Sequence, residues 1–250
     1  YRWRVSAKNY WPDKIGNDPY QISTGWDSTD FKIDLIQPEV INFDINPPKI
    51  REHFEHWKKV DIRDFESFTE ALIEFQPTYI LHLAAMTGMD IKDMTFFDAN
   101  TKGVSNLIEA SYKLPHLKRI LFTSTLLVCP NGYVPSSDIE FNPPNLYGES
   151  KLAASFLLEN LIRKNNFPVV ILRPALVYGP YQKPHDYLIP NVIRKCLLGE
   201  DFHIPSSGLQ KRSPLFIDDT IKGLLKAAQE EKAYGQLINL GSYENYGVLE

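Results

Sequence analysis

From residue 40 onward, short apolar runs alternate with stretches whose apolar positions recur every three or four residues. Val40-Ile41-Asn42-Phe43 predicts a strand, Phe65 to Phe75 a helix, and Tyr79-Ile80-Leu81-His82-Leu83 a buried strand. Phe96 to Tyr112 is helical in period and precedes a strand at Ile120-Leu121-Phe122. Tyr147 to Arg163 predicts another helix, with Ala153, Phe156, Leu157 and Leu161 as its apolar side. Val169-Val170-Ile171-Leu172 is then a strand ending at Arg173-Pro174. Continuous apolar strands separated by helices imply an α/β fold, a doubly wound parallel sheet with helices on both faces and right-handed crossovers. Ligands in such sheets bind beyond the carboxyl ends of the strands.

After Pro174 the pattern changes. Pro180, Pro184, Pro190, Pro205 and Pro214 punctuate short elements, which predicts a smaller, loop-rich lobe. The expected organisation is a main domain over residues 1–174 and a small lobe over 175–250, with some elements returning to the main domain. Residues 1–39 carry Trp3, Trp11 and Trp26 but no sustained period, and form the atypical part of the main domain.

Composition narrows the function classes. A net charge of −4 gives no global reason to expect nucleic acid or an anionic membrane as partner. Two cysteines, Cys129 and Cys196, imply no disulfide framework and fit a reducing compartment. No apolar run approaches the ~20 residues that cross a bilayer, and Tyr1-Arg2-Trp3-Arg4 lacks the apolar stretch of a secretion signal. A cytoplasmic, soluble protein is the expectation. No His/Cys cluster has metal-ligand spacing, so no metal is expected.

The strongest chemical signal is Tyr147-Gly148-Glu149-Ser150-Lys151. Residues four apart share a helix face, so a phenol and an ammonium can point into one cleft. A tyrosine near its reference pKa of ~10 is a poor base at neutral pH. A nearby Lys⁺, joined by an oxidised nicotinamide ring, would favour the phenolate. In isolation, such a pair is more often two residues meeting on a solvated face. His82, inside an apolar run, reads as a structural residue rather than a catalytic one.

Other motifs change that reading by their order: Phe43-Asp44, Asp61-Ile62-Arg63-Asp64, His82-Leu83-Ala84-Ala85, Asn100 with Gly103, and Thr123-Ser124-Thr125. Tyr147 to Lys151 follows, then Arg173-Pro174 with Val177-Tyr178-Gly179-Pro180, Arg212 with Phe216-Ile217-Asp218-Asp219, and Asn239-Leu240-Gly241. From about Val40 to the C-terminus the chain resembles the extended short-chain dehydrogenase/reductase family, in particular its sugar-nucleotide epimerases and dehydratases. The resemblance implies a Rossmann-like dinucleotide-binding domain over 1–174 and a mainly substrate-binding lobe over 175–250. It implies NAD as cofactor, a nucleotide-diphosphate sugar as substrate, and leaves room for a homodimer.

It also implies roles. Tyr147 would be the general base, and Lys151 would bind the nicotinamide ribose and tune Tyr147. Thr125 would hydrogen-bond the reacting oxygen, with Ser124 beside it at the substrate. Asp44 would accept hydrogen bonds from the adenosine ribose and repel a 2′-phosphate, favouring NAD over NADP. Asp61 and Ile62 would contact the adenine. Leu83, Ala84 and Ala85, with Pro174 and Val177, would line the cofactor. Asn100 would support the active-site lysine from the cofactor side, and Arg212 would hold the substrate's diphosphate.

The sequence departs from the family in three places. The Gly-rich phosphate turn expected before Asp44 has Thr24-Gly25 as its nearest match, continuing Trp26-Asp27-Ser28-Thr29-Asp30-Phe31. Bulk and negative charge there oppose pyrophosphate binding at a helix start, so weak NAD affinity is expected. Leu126 and Leu127 stand where dehydratases of the family place an Asp-Glu pair. The last residues, Leu249-Glu250, fall where the family enters a further helix, so the substrate lobe reads as truncated. An epimerase is the first reading. A reductase, a dehydratase, or an impaired relative acting as a binding protein are the alternatives.

Overall fold

The computed structural model describes residues 39–130, 141–180, 182, 187–204, 207–209, 211–242 and 246–248. The Thr24 to Phe31 turn therefore lies outside the described residues. The chain divides into two compact units between Asp61 and Ile62.

In the first unit, β1 (Asn42–Phe43) pairs in parallel with β2 (Trp57–Lys58), in the register Asn42 to Trp57. A 3₁₀ turn at Arg51–His56 lies between them. The ladder continues through Asp44, whose N–H donates to the Lys58 carbonyl at 3.2 Å. The Asp44 carbonyl accepts the indole N–H of Trp57 at 3.0 Å. The strand expected from Val40 thus begins two residues later, and Val40 is exposed.

The second unit is built on a four-stranded parallel sheet. Its strands are β3 (Tyr79–His82), β4 (Arg119–Thr123), β5 (Val169–Pro174) and β9 (Leu237–Leu240), in that spatial order. Between them in sequence come α1 (Phe65–Phe75), α2 (Lys102–Ser111) and α3 (Leu146–Asn165). Helix α1 starts where the sequence places it because the Asp64 carboxylate caps the Ser67 N–H at 3.3 Å. It ends at Gln76, whose left-handed backbone (φ 49°) closes the last turn.

Beyond β5 lie β6 (Leu176–Tyr178), α4 (Leu188–Leu198), β7 (Lys211–Arg212), β8 (Pro214–Phe216), α5 (Ile217–Gln229) and β10 (Tyr246–Gly247). Strands β6 and β8 pair in parallel, and β7 pairs with β10 antiparallel. Pro190 sits in the first turn of α4, where its missing N–H leaves no helical bond unmade. It does not interrupt that helix, as the proline spacing suggested.

Both sheet faces are covered, as the apolar strands implied. Leu121, Val170 and Leu172 pack against Leu224 and Ala227 of α5. Phe122, pointing the opposite way, lies beneath Lys151 of α3. Arg119 fixes the first of these layers. Buried at the start of β4, its Nη1 donates to the carbonyls of Ala227, Ala228 and Glu230 at 2.8–2.9 Å. The Ala227 and Ala228 carbonyls belong to the last turn of α5, where helical partners run out, and the Glu230 carbonyl also accepts the Ala233 N–H at 3.0 Å.

Three expectations need correction. The run from Tyr79 is not buried throughout: it forms a strand only to His82, and Tyr79 and Leu81 are exposed. As the edge of the described sheet, β3 alternates between an inner and an outer side. The helix expected over Phe96 to Tyr112 is a 3₁₀ turn (Met94–Phe97) followed by α2. The Asn100 N–H bonds back to Phe97 and the Gly103 N–H to Asp98, which separates the two. The apolar side of α3 is also different. Phe156 and Leu157 are 41% and 40% exposed, while Lys151, Ala154, Ser155 and Leu158 are buried. Polar partners under the helix, the Thr123 carbonyl for Lys151 and Ser124 for Ser155, turn that face inward.

Candidate active site

The carboxyl end of β4 and the amino end of α3 make the site. After Thr123 the chain runs through Ser124 and an extended Thr125 into a short turn, Leu126–Val128. The Thr125 hydroxyl caps that turn, accepting the Leu127 N–H at 3.1 Å. Helix α3 is capped by Asn145, whose side-chain amide oxygen accepts the Gly148 N–H at 2.9 Å. Gly148 allows the two pieces to meet, since a Cβ there would collide with the Leu127 carbonyl and with Pro143. The Thr125 hydroxyl is near enough to the Tyr147 phenol to favour its ionised form.

Lys151 is 2% exposed. Its Nζ donates to the Thr123 carbonyl at 2.8 Å and stands 5.0 Å from the Phe122 ring centroid. Burial without an anionic partner pushes its pKa down to about 7. Tyr147 moves the other way, to about 12, chiefly by burial, with the neighbouring Tyr187 adding to the rise and the Thr125 hydrogen bond opposing it. The expectation that Lys151 lowers the Tyr147 pKa therefore fails for the groups of this chain alone. The ammonium is turned toward a backbone carbonyl, and desolvation dominates both residues. Both favour their neutral forms.

Thr125 and Ser124 have different surroundings. Ser155 donates its hydroxyl hydrogen to the Lys151 carbonyl at 2.8 Å, so the 2.9 Å bond between Ser124 and Ser155 must be donated by Ser124. The buried Ser124 hydroxyl is thus directed into the seam between β4 and α3 rather than toward Tyr147. Asn100 likewise differs from its expected place. Fully buried, its side chain bonds Met86 N–H (2.8 Å), Met86 carbonyl (3.0 Å) and Ser150 hydroxyl (2.9 Å), and not Lys151. Sequence reasoning missed Asn145, Ser150 and Ser155. An asparagine before the helical run was a readable capping signal for the first; the two serines carried none.

His82 stacks on Phe122 with centroids 5.7 Å apart. Burial and the nearby Lys151 hold its pKa down to about 3. Its Nε2 is buried without a hydrogen-bond partner, in keeping with a neutral ring. Leu83, Ala84 and Ala85 continue from the carboxyl end of β3, and Pro174 closes β5 with Val177 next in β6. They share the sheet edge that carries Thr125. Arg212 lines a cavity of about 220 Å³ with Leu176, Leu188, Val192 and Tyr246. Ile62 is buried, packs on Gly103 and accepts the Asn106 amide at 2.8 Å through its carbonyl. Asp44 and Asp61 belong to the first unit, where the Asp44 carboxylate accepts the Asn46 N–H at 2.7 Å. Among the described residues, no group of three His, Cys, Asp or Glu side chains could hold a metal ion. No described helix is long and apolar enough to cross a membrane.

A parallel sheet wound on both faces, with a Thr-Tyr-Lys set at its carboxyl edge, defines the class to which known proteins can be compared. Residues 30–241 match the model of the NAD dependent epimerase/dehydratase family. The chain belongs to that family. It is 30% identical over 189 residues to the UDP-N-acetyl-alpha-D-glucosaminuronate decarboxylase of Bacillus cytotoxicus, covering 70% of this chain and 57% of the relative. It is 31% identical to the human dTDP-D-glucose 4,6-dehydratase, covering 68% of this chain and 49% of that protein. The chain thus spans about half the length of these curated relatives. The NAD complex of the Bacillus cereus UDP-glucuronic acid 4-epimerase superposes with a TM-score of 0.68 at 29% identity, covering 78% and 62% of the two chains. These relatives are named for three different reactions.

Proposed function

We propose that this chain is an NAD-dependent epimerase of a nucleotide-diphosphate sugar, working through a transient keto intermediate. The observation that carries this reading is the Thr125 hydroxyl acting on the Tyr147 phenol, with a buried Lys151 one turn further along the same helix. Leu126 and Leu127 favour it over a dehydratase, because neither side chain following Thr125 can act as an acid or a base.

The residues present fit a nicotinamide dinucleotide. Ala84 and Ala85 place small side chains at the end of β3, and the buried Lys151 amine is bonded to the Thr123 carbonyl at the end of β4. NAD would supply reversible hydride acceptance at the sugar carbon. Leu83, Ala84, Ala85, Pro174 and Val177 would hold it at the sheet edge. Lys151 would bind its ribose hydroxyls, and Asp44, Asp61 and Ile62 its adenosine end. Tyr147 Oη takes the proton from the reacting sugar hydroxyl, while Thr125 Oγ1 orients that oxygen. Arg212, at the cavity beside α4, holds the diphosphate of the substrate, and residues 175–250 form chiefly the substrate lobe. Binding energy from the nucleotide end fixes the sugar against the cofactor. We assign Ser124 and Asn100 to holding α3 in place, with no direct ligand contact.

One observation favours a second reading. Trp26, Asp27 and Asp30, around the expected pyrophosphate turn, suit a relative that has lost NAD affinity and serves as a binding protein. Titration calorimetry with NAD, followed by incubation with UDP- and dTDP-hexoses and proton NMR of the products, separates the two. NAD binding with appearance of an epimer supports the enzyme. Sugar-nucleotide binding without NAD binding supports the second reading.

A further inference from the structure

The loop after β3 and the first turn of α3 are joined by a hydrogen-bond chain whose direction is fixed. Ser150 has a single hydroxyl hydrogen, and it goes to the Tyr147 carbonyl at 2.8 Å. Its oxygen must then accept the Asn100 amide at 2.9 Å. The other Asn100 amide hydrogen goes to the Met86 carbonyl, and its oxygen accepts the Met86 N–H. Every polar atom of the Asn100 side chain is committed, and both Asn100 and Ser150 are 0% exposed. Two other contacts cross the same joint: the Asn145 amide donates to the Met89 sulfur at 3.3 Å, and the Phe97 ring lies 6.3 Å from the Tyr147 ring.

We propose that the Asn100–Ser150 pair is a positioning device that locks the 86–97 loop to the first turn of α3 and so sets the direction of the Tyr147 phenol. A helix turn held only by its own backbone can rotate slightly about its axis. The chain from Met86 through Asn100 and Ser150 to the Tyr147 carbonyl opposes that rotation at the residue whose side chain must meet Thr125. Ser150 touches no reacting atom and acts through Tyr147. A displacement near 1 Å at a reacting group can lower turnover by ~10²-fold, so a modest swing of the phenol suffices to matter. The kinetic part of this inference rests on the proposed epimerase reading; the direction of the phenol does not.

The test compares Ser150→Ala, Ser150→Cys, Asn100→Asp and the double variant Ser150→Ala/Asn100→Asp with the unaltered chain. Asn100→Asp keeps the acceptor for Met86 while removing both amide donors. The readouts are melting temperature, kcat and KM for a sugar nucleotide that the chain turns over, and the Tyr147 resonance in ¹³Cζ-tyrosine-labelled protein, assigned with Tyr147→Phe. Ser150→Ala is expected to shift the Tyr147 resonance and lower kcat roughly 10–100-fold while KM stays within about threefold. The double variant is expected to be no more than about threefold slower than the worse single one, because the residues act in one chain. An unmoved Tyr147 resonance in a folded Ser150→Ala protein overturns the proposal, as does a fall in KM affinity with kcat unchanged. Should Ser150→Ala fail to fold, Ser150→Cys and Asn100→Asp decide by the same readouts. If the unaltered chain turns over no sugar nucleotide, the epimerase reading fails, and the resonance alone still decides the positioning role.

Discussion

The ammonium of Lys151 stands 5.0 Å from the Phe122 ring centroid, in a layer of the sheet that water does not reach. Around it are one backbone carbonyl, an aromatic face and the neutral ring of His82. No carboxylate compensates its charge among the interactions that shift it; burial is the sole cause of its lowered pKa. Lys151 is therefore a cost to the fold.

That cost sets a pH dependence. The folded pKa of Lys151 is about 7, below the ordinary lysine value of 10.5 expected of the unfolded chain. Between these values the unfolded state holds the extra proton, so this contribution to stability grows as pH rises from 7 to 10.5. Lys151→Met is expected to stabilise the chain by roughly 1–4 kcal/mol at pH 7 and below. The gain should shrink toward pH 10.5. Urea denaturation of both proteins at pH 6, 8 and 10 measures it; a gain that does not change with pH would exclude titration of Lys151 as its source.

His82 sets the acid limit in the same way. Its folded pKa of about 3 lies below the ordinary 6.5, so its contribution is complete above pH 6.5 and is lost as pH falls toward 3. His82→Phe keeps a ring against Phe122 and removes the titration. The variant is expected to lose less stability than the unaltered chain between pH 6.5 and 4. Parallel acid titrations followed by circular dichroism check this, and identical curves would show that His82 does not govern the transition.

Arg119 ties three carbonyls at the end of α5 to β4. Arg119→Met keeps the apolar stem and leaves the Ala227 and Ala228 carbonyls without their side-chain donor, at an expected cost of roughly 2–4 kcal/mol. Thermal unfolding measures the loss. A change under about 0.5 kcal/mol would mean that water replaces the guanidinium.

Asp44 bears on cofactor choice. If its carboxylate accepts the adenosine ribose, NAD should bind at least about tenfold more tightly than NADP, and Asp44→Ser should narrow that ratio. Calorimetry with both cofactors gives the two ratios; equal affinities in the unaltered chain would leave Asp44 only its turn, where it accepts the Asn46 N–H.

The sequence carried these features unevenly. The parallel sheet was legible because β4 and β5 are apolar at successive positions, a pattern that needs cover on both faces. Tyr147 and Lys151 were legible because four-residue spacing on a helix is a geometric rule. Which face of α3 would be buried was not, since Phe156 and Leu157 outweigh Ser155 on any apolar count, whereas the polar seam with Ser124 and Thr123 decides. Pro190 misled for a similar reason, as its effect depends on which turn of a helix it occupies. The direction of the Tyr147 pKa needed burial, which no spacing reveals. Nor could sequence place the Asn100 side chain, whose partners lie 14 and 50 residues away.

The most direct test of the epimerase reading is the ratio of turnover between the unaltered chain and Tyr147→Phe. It is followed by proton NMR of a nucleotide-diphosphate hexose incubated with NAD, with NAD affinity measured alongside. The expected result is an epimerised sugar from the unaltered chain, a rate roughly 10²–10⁴-fold lower in the variant, and NAD affinity changed by no more than about threefold. A variant that keeps more than about half the turnover, or an unaltered chain that binds NAD and sugar nucleotide without epimerising it, would contradict the account.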